Sequence, residues 1–168
     1  MSILVLGVGN VLLTDEGIGV RTVETLLEEY QFPGKVEVVD GGTAGMELVE
    51  IIANKEHVIL IDAVNTGADV GTIVTLVDEE VPALFRSRIS PHQLGISDLL
   101  GVMALTGETP KHFTLFGVVP FSMATGVELS PQMLPLKNIL VENVVNKLEA
   151  LGCKVTKEKS ELKTKQVA

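Results

Sequence analysis

Three side chains of the types that bind transition metals are prominent in this chain: the carboxylates of Glu16 and Asp62 and the imidazole of His92. Two oxygen ligands and one nitrogen ligand suit zinc, nickel or a similar borderline cation, and they leave coordination positions open for water or a substrate. The sequence contains no compact metal motif such as His-Glu-x-x-His. These residues therefore form a site only if the fold brings them together.

The segments that must position them alternate between strand and helix patterns. Strands are predicted at 3–6, 36–39, 58–61, 72–77 and 113–119, which are rich in β-branched and large apolar residues. Helices are predicted at 20–30, at 44–54, from the Ser90-Pro91-His92-Gln93 capping box onward, and at 131–151. Alternation of this kind predicts a three-layer α/β/α domain around a mostly parallel sheet.

The strand order follows from how apolar each strand is and from the length of each connection. Strands 1, 3 and 5 are nearly continuous apolar runs, as interior parallel strands are, whereas strand 2 alternates like an edge strand. The connection at 62–71 is too short for a helical crossover, so strand 4 is predicted to be antiparallel and at the other edge. The predicted order of the five strands is 2-1-3-5-4.

This topology places the candidate ligands at one end of the sheet. Ligands of open α/β sheets bind beyond the carboxyl ends of the strands. Asp62 ends strand 3, Glu16 follows strand 1, and His92 lies in the first turn of a helix that must start at that end to feed strand 5. His57 and His112 precede strands and are predicted at the opposite end. Thr14 or Asp15 is predicted to cap the first helix.

Less specific explanations exist for each residue and for the glycines beside them. Glu16 could complement a helix dipole, Asp62 could form a turn, and His92 could be a surface residue. Gly7 and Gly9 after a strand, with Asp40 at the end of strand 2, also suggest a dinucleotide site. That fingerprint fails, because its third glycine position holds Leu12 and the helix starts about seven residues after the strand. We expect the glycines instead to allow a close approach of backbone.

Length and composition limit the possible functions. A chain of 168 residues and 17.9 kDa predicts one domain, at 1–151, followed by a polar, flexible tail at 152–168. The net charge of −9 argues against a nucleic-acid partner. No apolar run reaches the roughly 18 to 20 residues of a membrane span, so we expect a cytoplasmic protein without a membrane partner. Cys153, the single cysteine, is expected to have no catalytic role.

Several blocks of sequence resemble the maturation endopeptidases of nickel–iron hydrogenases. The first is GVGNVLLTDEGIGVR at 7–21; the others follow in the family's order at 40–45, 61–63, 78–82 and 90–95. The resemblance covers about residues 1–150. By motif, the family's metal ligands correspond to Glu16, Asp62 and His92, the same residues that the topology brings together.

The resemblance implies an endopeptidase, aspartic-type or metal-dependent, that removes a C-terminal extension from the nickel-loaded precursor of a hydrogenase large subunit. The nickel would be that of the substrate, although another divalent metal could substitute. We expect Asp40 and its glycine loop to help to position the peptide, or the backbone at Gly41 and Gly42 to stabilise an oxyanion. A nickel-sensing assembly chaperone that binds the same precursor without cleavage is the main alternative.

Overall fold

The structure of the chain is a computed structural model. It describes residues 1–87 and 91–158, apart from the side chains of residues 86, 87, 91–95 and 97. The strands are β1 (Ile3–Val8), β2 (Tyr30–Gln31), β3 (Val36–Gly42), β4 (His57–Ala63), β5 (Ile73–Val77), β6 (His112–Val118) and β7 (Thr156–Lys157). The α-helices are α1 (Ile18–Glu29), α2 (Val49–Ile52), α3 (Glu80–Ser87), α4 (Pro91–Thr106) and α5 (Leu134–Ala150). Short 3-10 helices cover Thr14–Gly17, Met46–Leu48 and Pro131–Met133.

A five-stranded sheet in the order β3-β1-β4-β6-β5 forms the centre of the molecule. All neighbouring strands are parallel except β5, which runs antiparallel to β6 at one edge. Once the short β2 is left out of the numbering, this is the predicted order 2-1-3-5-4. The predicted fold class and the antiparallel direction of the fourth strand are therefore confirmed.

Two apolar cores lie on the two faces of this sheet. On one face, Ile18 and Val23 of α1 and Leu140 of α5 pack against Val5 and Ile59 of the sheet. The other face is covered by α2, α3 and α4, which bury the residues of the second cluster: Leu4, Leu6, Leu60, Ile52, Phe85, Leu99 and Met103. Neighbouring strand residues alternate between the two clusters, as a sheet covered on both faces requires.

Three local features differ from the predicted elements. Helix α3 was not predicted, and the helix predicted at 44–54 is shorter, since only the 3-10 turn and α2 are formed there. Neither Thr14 nor Asp15 caps α1, so that prediction is wrong. The N-cap of α1 is Gly17, without a side-chain hydrogen bond, because a 3-10 turn precedes the helix.

The chain after α5 was predicted to be a polar tail from residue 152. The backbone turns at Gly152, Cys153 is buried, and β7 pairs with β2 in antiparallel orientation. Residues 159–168 lie outside the described part, so the division into a domain and a flexible tail stays a prediction there. Among the described helices, none has the length and apolarity needed to cross a membrane.

Candidate active site

Glu16 lies in the 3-10 turn that follows β1, at the carboxyl end of the parallel strands. Its side chain is almost fully buried, with 4% exposure, although it belongs to a connection between elements. The turn contacts β4, the strand that pairs with β1. A carboxylate is seldom buried without polar partners, because its desolvation is costly. Glu16 is therefore not a solvated charge at a helix terminus.

Glycines hold this turn and the start of α1 against the sheet. Gly9 has φ +132°, and a Cβ atom there would lie 1.9 Å from the carbonyl oxygen of Glu16. A Cβ at Gly19 would lie 2.2 Å from the carbonyl oxygen of Ile61, the residue before Asp62. The expected close approach of backbone is confirmed.

Asp62 is the penultimate residue of β4 and is fully buried, with 0% exposure. In the alternation along this strand it shares a face with Val58 and Leu60, which belong to the core under α4. Asp62 therefore lies at the predicted end of the sheet, on the face that α4 covers.

His92 is the second residue of α4, and its backbone lies in the first turn of that helix. The helix packs on the face of Asp62 through Ile96, Leu99 and Met103, and it ends before β6 begins. Its first turn is thus at the carboxyl end of the strands. The His92 side chain lies outside the described part of the chain. Among the described residues, no group of three potential metal-ligating side chains is found. The role of His92 as a ligand therefore stays a prediction.

Asp40 differs from Glu16 and Asp62 because its side chain is exposed. It pairs with Gly7 of β1, and its Oδ1 accepts a hydrogen bond of 2.9 Å from the N–H of Gly42. Strand alternation gives it the face of Val36 and Val38, opposite to that of Asp62. Asp40 is at the same end of the sheet but shapes its own glycine loop.

Asp15 is a buried carboxylate that was predicted only as a possible helix cap. Its exposure is 0%, and it accepts hydrogen bonds from the N–H groups of Phe121, Ser122 and Ser130 and from the Ser130 hydroxyl. All of these donors belong to the connection after β6. The local sequence contains no signal for this role, because the partners are more than 100 residues away.

The other two histidines lie at the amino ends of the strands, as predicted. His57 opens β4 and is buried, with its Nε2 2.9 Å from the hydroxyl of Thr114, whereas His112 opens β6 and is exposed. Burial, followed by the positive charge of Lys147, lowers the pKa of His57 to about 4. A neutral, buried imidazole at this end has a packing role and is remote from the candidate site.

A cavity of about 250 Å³ also opens at the amino end, between α3 and α4. Its walls include Phe85, Leu100 and Phe113, with Asp78 and Lys111 among the polar residues. Since Phe113 is the second residue of β6, this cavity lies at the opposite end of the sheet from Glu16 and Asp62. It is not part of the candidate active site.

A three-layer α/β/α domain with one buried carboxylate after β1 and another near the end of β4 has candidate ligands where open α/β sheets bind theirs. Comparison with known proteins gives the class. Residues 20–150 match the family described as HycI, hydrogenase maturation protease. The chain is 50% identical over 153 residues to the hydrogenase 2 maturation protease of Escherichia coli K12, covering 90% of this chain and 93% of that protein.

Solved structures agree with this match. The hydrogenase maturating endopeptidase HybD from E. coli superposes with a TM-score of 0.90 at 49% identity, covering 94% of this chain and 98% of that one. The nickel–iron hydrogenase maturation protease HybD from Thermococcus kodakarensis gives a TM-score of 0.69 at 27% identity, covering 88% and 99%. The chain belongs to the hydrogenase maturation protease family, so the resemblance drawn from its motifs is confirmed. The known role of this family is cleavage of the C-terminal extension of a hydrogenase large subunit.

Proposed function

We propose that this chain removes the C-terminal extension from the nickel-loaded precursor of a hydrogenase large subunit, and that Glu16, Asp62 and His92 contact the nickel of that substrate. The observation that carries the proposal is the burial of Glu16 and Asp62 at the carboxyl ends of β1 and β4, in a chain of this protease family. His92 completes the set by its sequence motif and by its place in the first turn of α4.

The proposed chemistry is that of a metal-dependent endopeptidase in which the metal arrives with the substrate. A nickel ion can polarise the scissile carbonyl or lower the pKa of a water molecule that attacks it. Two carboxylates and one imidazole match the ligand preferences of nickel and leave positions for the precursor's own ligands. Another divalent metal with similar preferences could substitute. We expect the reaction to take place in the cytoplasm.

Asp40 is proposed to position the peptide. Its exposed carboxylate and the N–H groups of Gly41 and Gly42 lie at the same end of the sheet, and Gly42 has φ +50°. The exposed carboxylate can accept hydrogen bonds from the N–H groups of an extended chain. The N–H of Gly42 donates to Asp40 Oδ1, so it would have to leave that bond to stabilise a developing oxyanion. We expect Asp40→Asn to raise KM for the precursor more than it lowers kcat, which steady-state cleavage assays measure.

The decisive experiment is intact mass spectrometry of the precursor, with and without nickel, before and after incubation with the protein. We expect a discrete C-terminal loss that requires nickel, and a decrease of about 10²- to 10³-fold in kcat/KM for Glu16→Gln, the scale of losing one group that stabilises a transition state. Glu128→Gln, which removes an exposed carboxylate elsewhere, is the matched control and should cleave like the wild type.

Two results would contradict the proposal. Wild-type cleavage by Glu16→Gln would remove Glu16 from the site. A stable complex with an unchanged precursor mass would indicate the chaperone function instead, because a chaperone binds the precursor without breaking a peptide bond.

A further inference from the structure

Asp15 connects two segments that are far apart in sequence. Its Oδ1 accepts a hydrogen bond from the N–H of Ser130 at 2.8 Å. Its Oδ2 accepts bonds from the N–H groups of Phe121 and Ser122 at 3.1 and 3.0 Å, and from the Ser130 hydroxyl at 2.7 Å. Both ends of the 121–130 connection are thus bound to one buried carboxylate.

Thr14, the residue before Asp15, reinforces this connection through its backbone and its side chain. Its N–H donates to the carbonyl of Gly126 at 2.9 Å, and its hydroxyl donates to the carbonyls of Ser122 and Ala124. The N–H of Asp15 itself donates to the carbonyl of Ser122. The 3-10 turn at Thr14–Gly17 and the 121–130 connection therefore form one hydrogen-bonded unit.

Glu16 is the next residue in this turn, so its position depends on the unit. We propose that Asp15 is a positioning residue of the protease: by fixing the 121–130 connection to the turn, it holds Glu16 in its catalytic position. The inference rests on the role of Glu16 in the proposed function. A shift of about 1 Å in a catalytic group can cost on the order of 100-fold in rate, which is why such a support matters.

The hydrogen bonds also separate the roles of the two neighbouring carboxylates. Both oxygens of Asp15 accept from protein donors: Oδ2 accepts three hydrogen bonds and Oδ1 accepts one. The Asp15 carboxylate is therefore directed at the 121–130 connection, whereas Glu16 accepts none of these bonds. Asparagine cannot replace Asp15, because one of its two polar atoms is itself a donor and would face the N–H groups that now donate to the carboxylate.

The test compares Asp15→Asn, Ser130→Ala and Ser130→Thr in the full chain, with nickel-loaded precursor as the substrate. Each variant is assayed well below the midpoint of its own thermal unfolding, so that the protein is folded. For Asp15→Asn we expect kcat to fall by about 10- to 100-fold while KM changes by less than about threefold, because the turn moves but the peptide-binding groups remain. Glu128→Gln, on the same connection, is the matched control for loss of a negative charge.

The variants at position 130 test the positioning role independently if Asp15→Asn does not fold. Ser130→Ala removes one of the four donors, so kcat should fall by about two- to fivefold, and Ser130→Thr, which keeps a hydroxyl, should restore it. A wild-type kcat for Ser130→Ala, or for a folded Asp15→Asn, would overturn the inference. It would mean that Asp15 only stabilises the fold, because loss of such a residue lowers the melting temperature but leaves the rate of the folded enzyme unchanged.

A parallel assay of Glu16→Gln separates this inference from the proposed function. If Glu16→Gln is inactive while folded Asp15→Asn cleaves like the wild type, only the positioning role fails. If Glu16→Gln itself cleaves like the wild type, the proposed site fails, and the positioning role is overturned with it.

Discussion

At the residue scale, we expect the titration of His57 to affect the stability of the protein rather than its catalytic chemistry. It is 4% exposed at the amino end of β4, with its Nε2 2.9 Å from the hydroxyl of Thr114. Burial disfavours the charged imidazolium, and the positive charge of Lys147 adds to this effect. The pKa of His57 is therefore lowered from 6.5 to about 4.

The sign of the pH dependence follows from that lowered pKa. Between about pH 6.5 and pH 4 the unfolded chain binds a proton at His57 that the folded protein does not bind, so acidification favours unfolding. We expect the free energy of unfolding, measured by urea denaturation, to fall across this window. In His57→Gln the fall should be smaller, because glutamine does not titrate.

The exposed His112 provides the control, because it opens the neighbouring strand with its side chain largely in solvent. His112→Gln should retain most of the wild-type pH dependence. Identical slopes for the wild type and His57→Gln between pH 6.5 and pH 4.5 would show that the folded protein does not exclude this proton.

Asp15 and Glu16 show what a local sequence does not reveal at the residue scale. Both are acidic residues in the first turn after β1, and both are suitable by type for capping or for a helix dipole. Their roles differ because of partners in the 121–130 connection, which no local pattern identifies. Glu16 was predicted because its strand leads to the carboxyl end of the sheet. This topological argument applies equally to Asp15 and could not distinguish the two residues.

At the scale of elements, the junction between β1 and α1 depends on glycines. In Gly9→Ala the new methyl group would meet the Glu16 carbonyl oxygen at 1.9 Å, at a backbone φ of +132°. We expect a loss of about 2 kcal/mol or more in the free energy of unfolding, the scale of backbone strain combined with overpacking. Cleavage should also decrease, because the displaced atom belongs to Glu16.

Gly34→Ala is the matched control for this glycine substitution. A Cβ at Gly34 meets no atom within 4 Å, and its φ is not in the left-handed region. Urea unfolding of this variant should stay within about 0.5 kcal/mol of the wild type. Equal stability of the Gly9→Ala and Gly34→Ala variants would mean that the 3-10 turn at Thr14–Gly17 can move away from Gly9 without cost.

The elements themselves were largely predictable, and the exceptions have physical reasons. Interior strands bury both faces and are continuously apolar, so their order could be inferred. Helix α3 carries a usable signal, since Val81, Leu84 and Phe85 are buried at helical spacing. Pro82 obscures that signal, although proline is tolerated in the first turn of a helix, where its N–H would have no intrahelical acceptor.

At the scale of the whole molecule, the candidate site could be predicted because the loops that follow parallel strands meet at one end of the sheet. The rule needs only the strand order and direction, and it places Glu16, Asp62 and the start of α4 at that end. It does not give the orientation of a side chain within that end. Asp40 shows this limit, since it lies at the correct end but is exposed and on the other face of the sheet.

The turn after α5 continues the described fold beyond the end of the helix. Gly152, with φ +86°, donates its N–H to Glu149, and Cys153 donates to Leu148, which is the Schellman arrangement. The turn buries Cys153 and leads into β7, which pairs with β2. The lysines that follow suggested a solvated tail, but a glycine succeeded by a small apolar residue is also the pattern of this helix end.

Two truncated chains test where the stable unit ends. A chain that stops at Glu158 keeps β7, and its free energy of unfolding should lie within about 0.5 kcal/mol of the full chain. A chain that stops at Leu151 loses the Schellman bonds, the burial of Cys153 and the β2–β7 pair. It should be less stable by about 2 kcal/mol, the scale of one buried apolar side chain with its hydrogen bonds.

Urea denaturation of both chains measures the difference in the free energy of unfolding. Equal midpoints would place residues 152–158 outside the cooperative unit, because a segment that unfolds independently contributes nothing to the main transition.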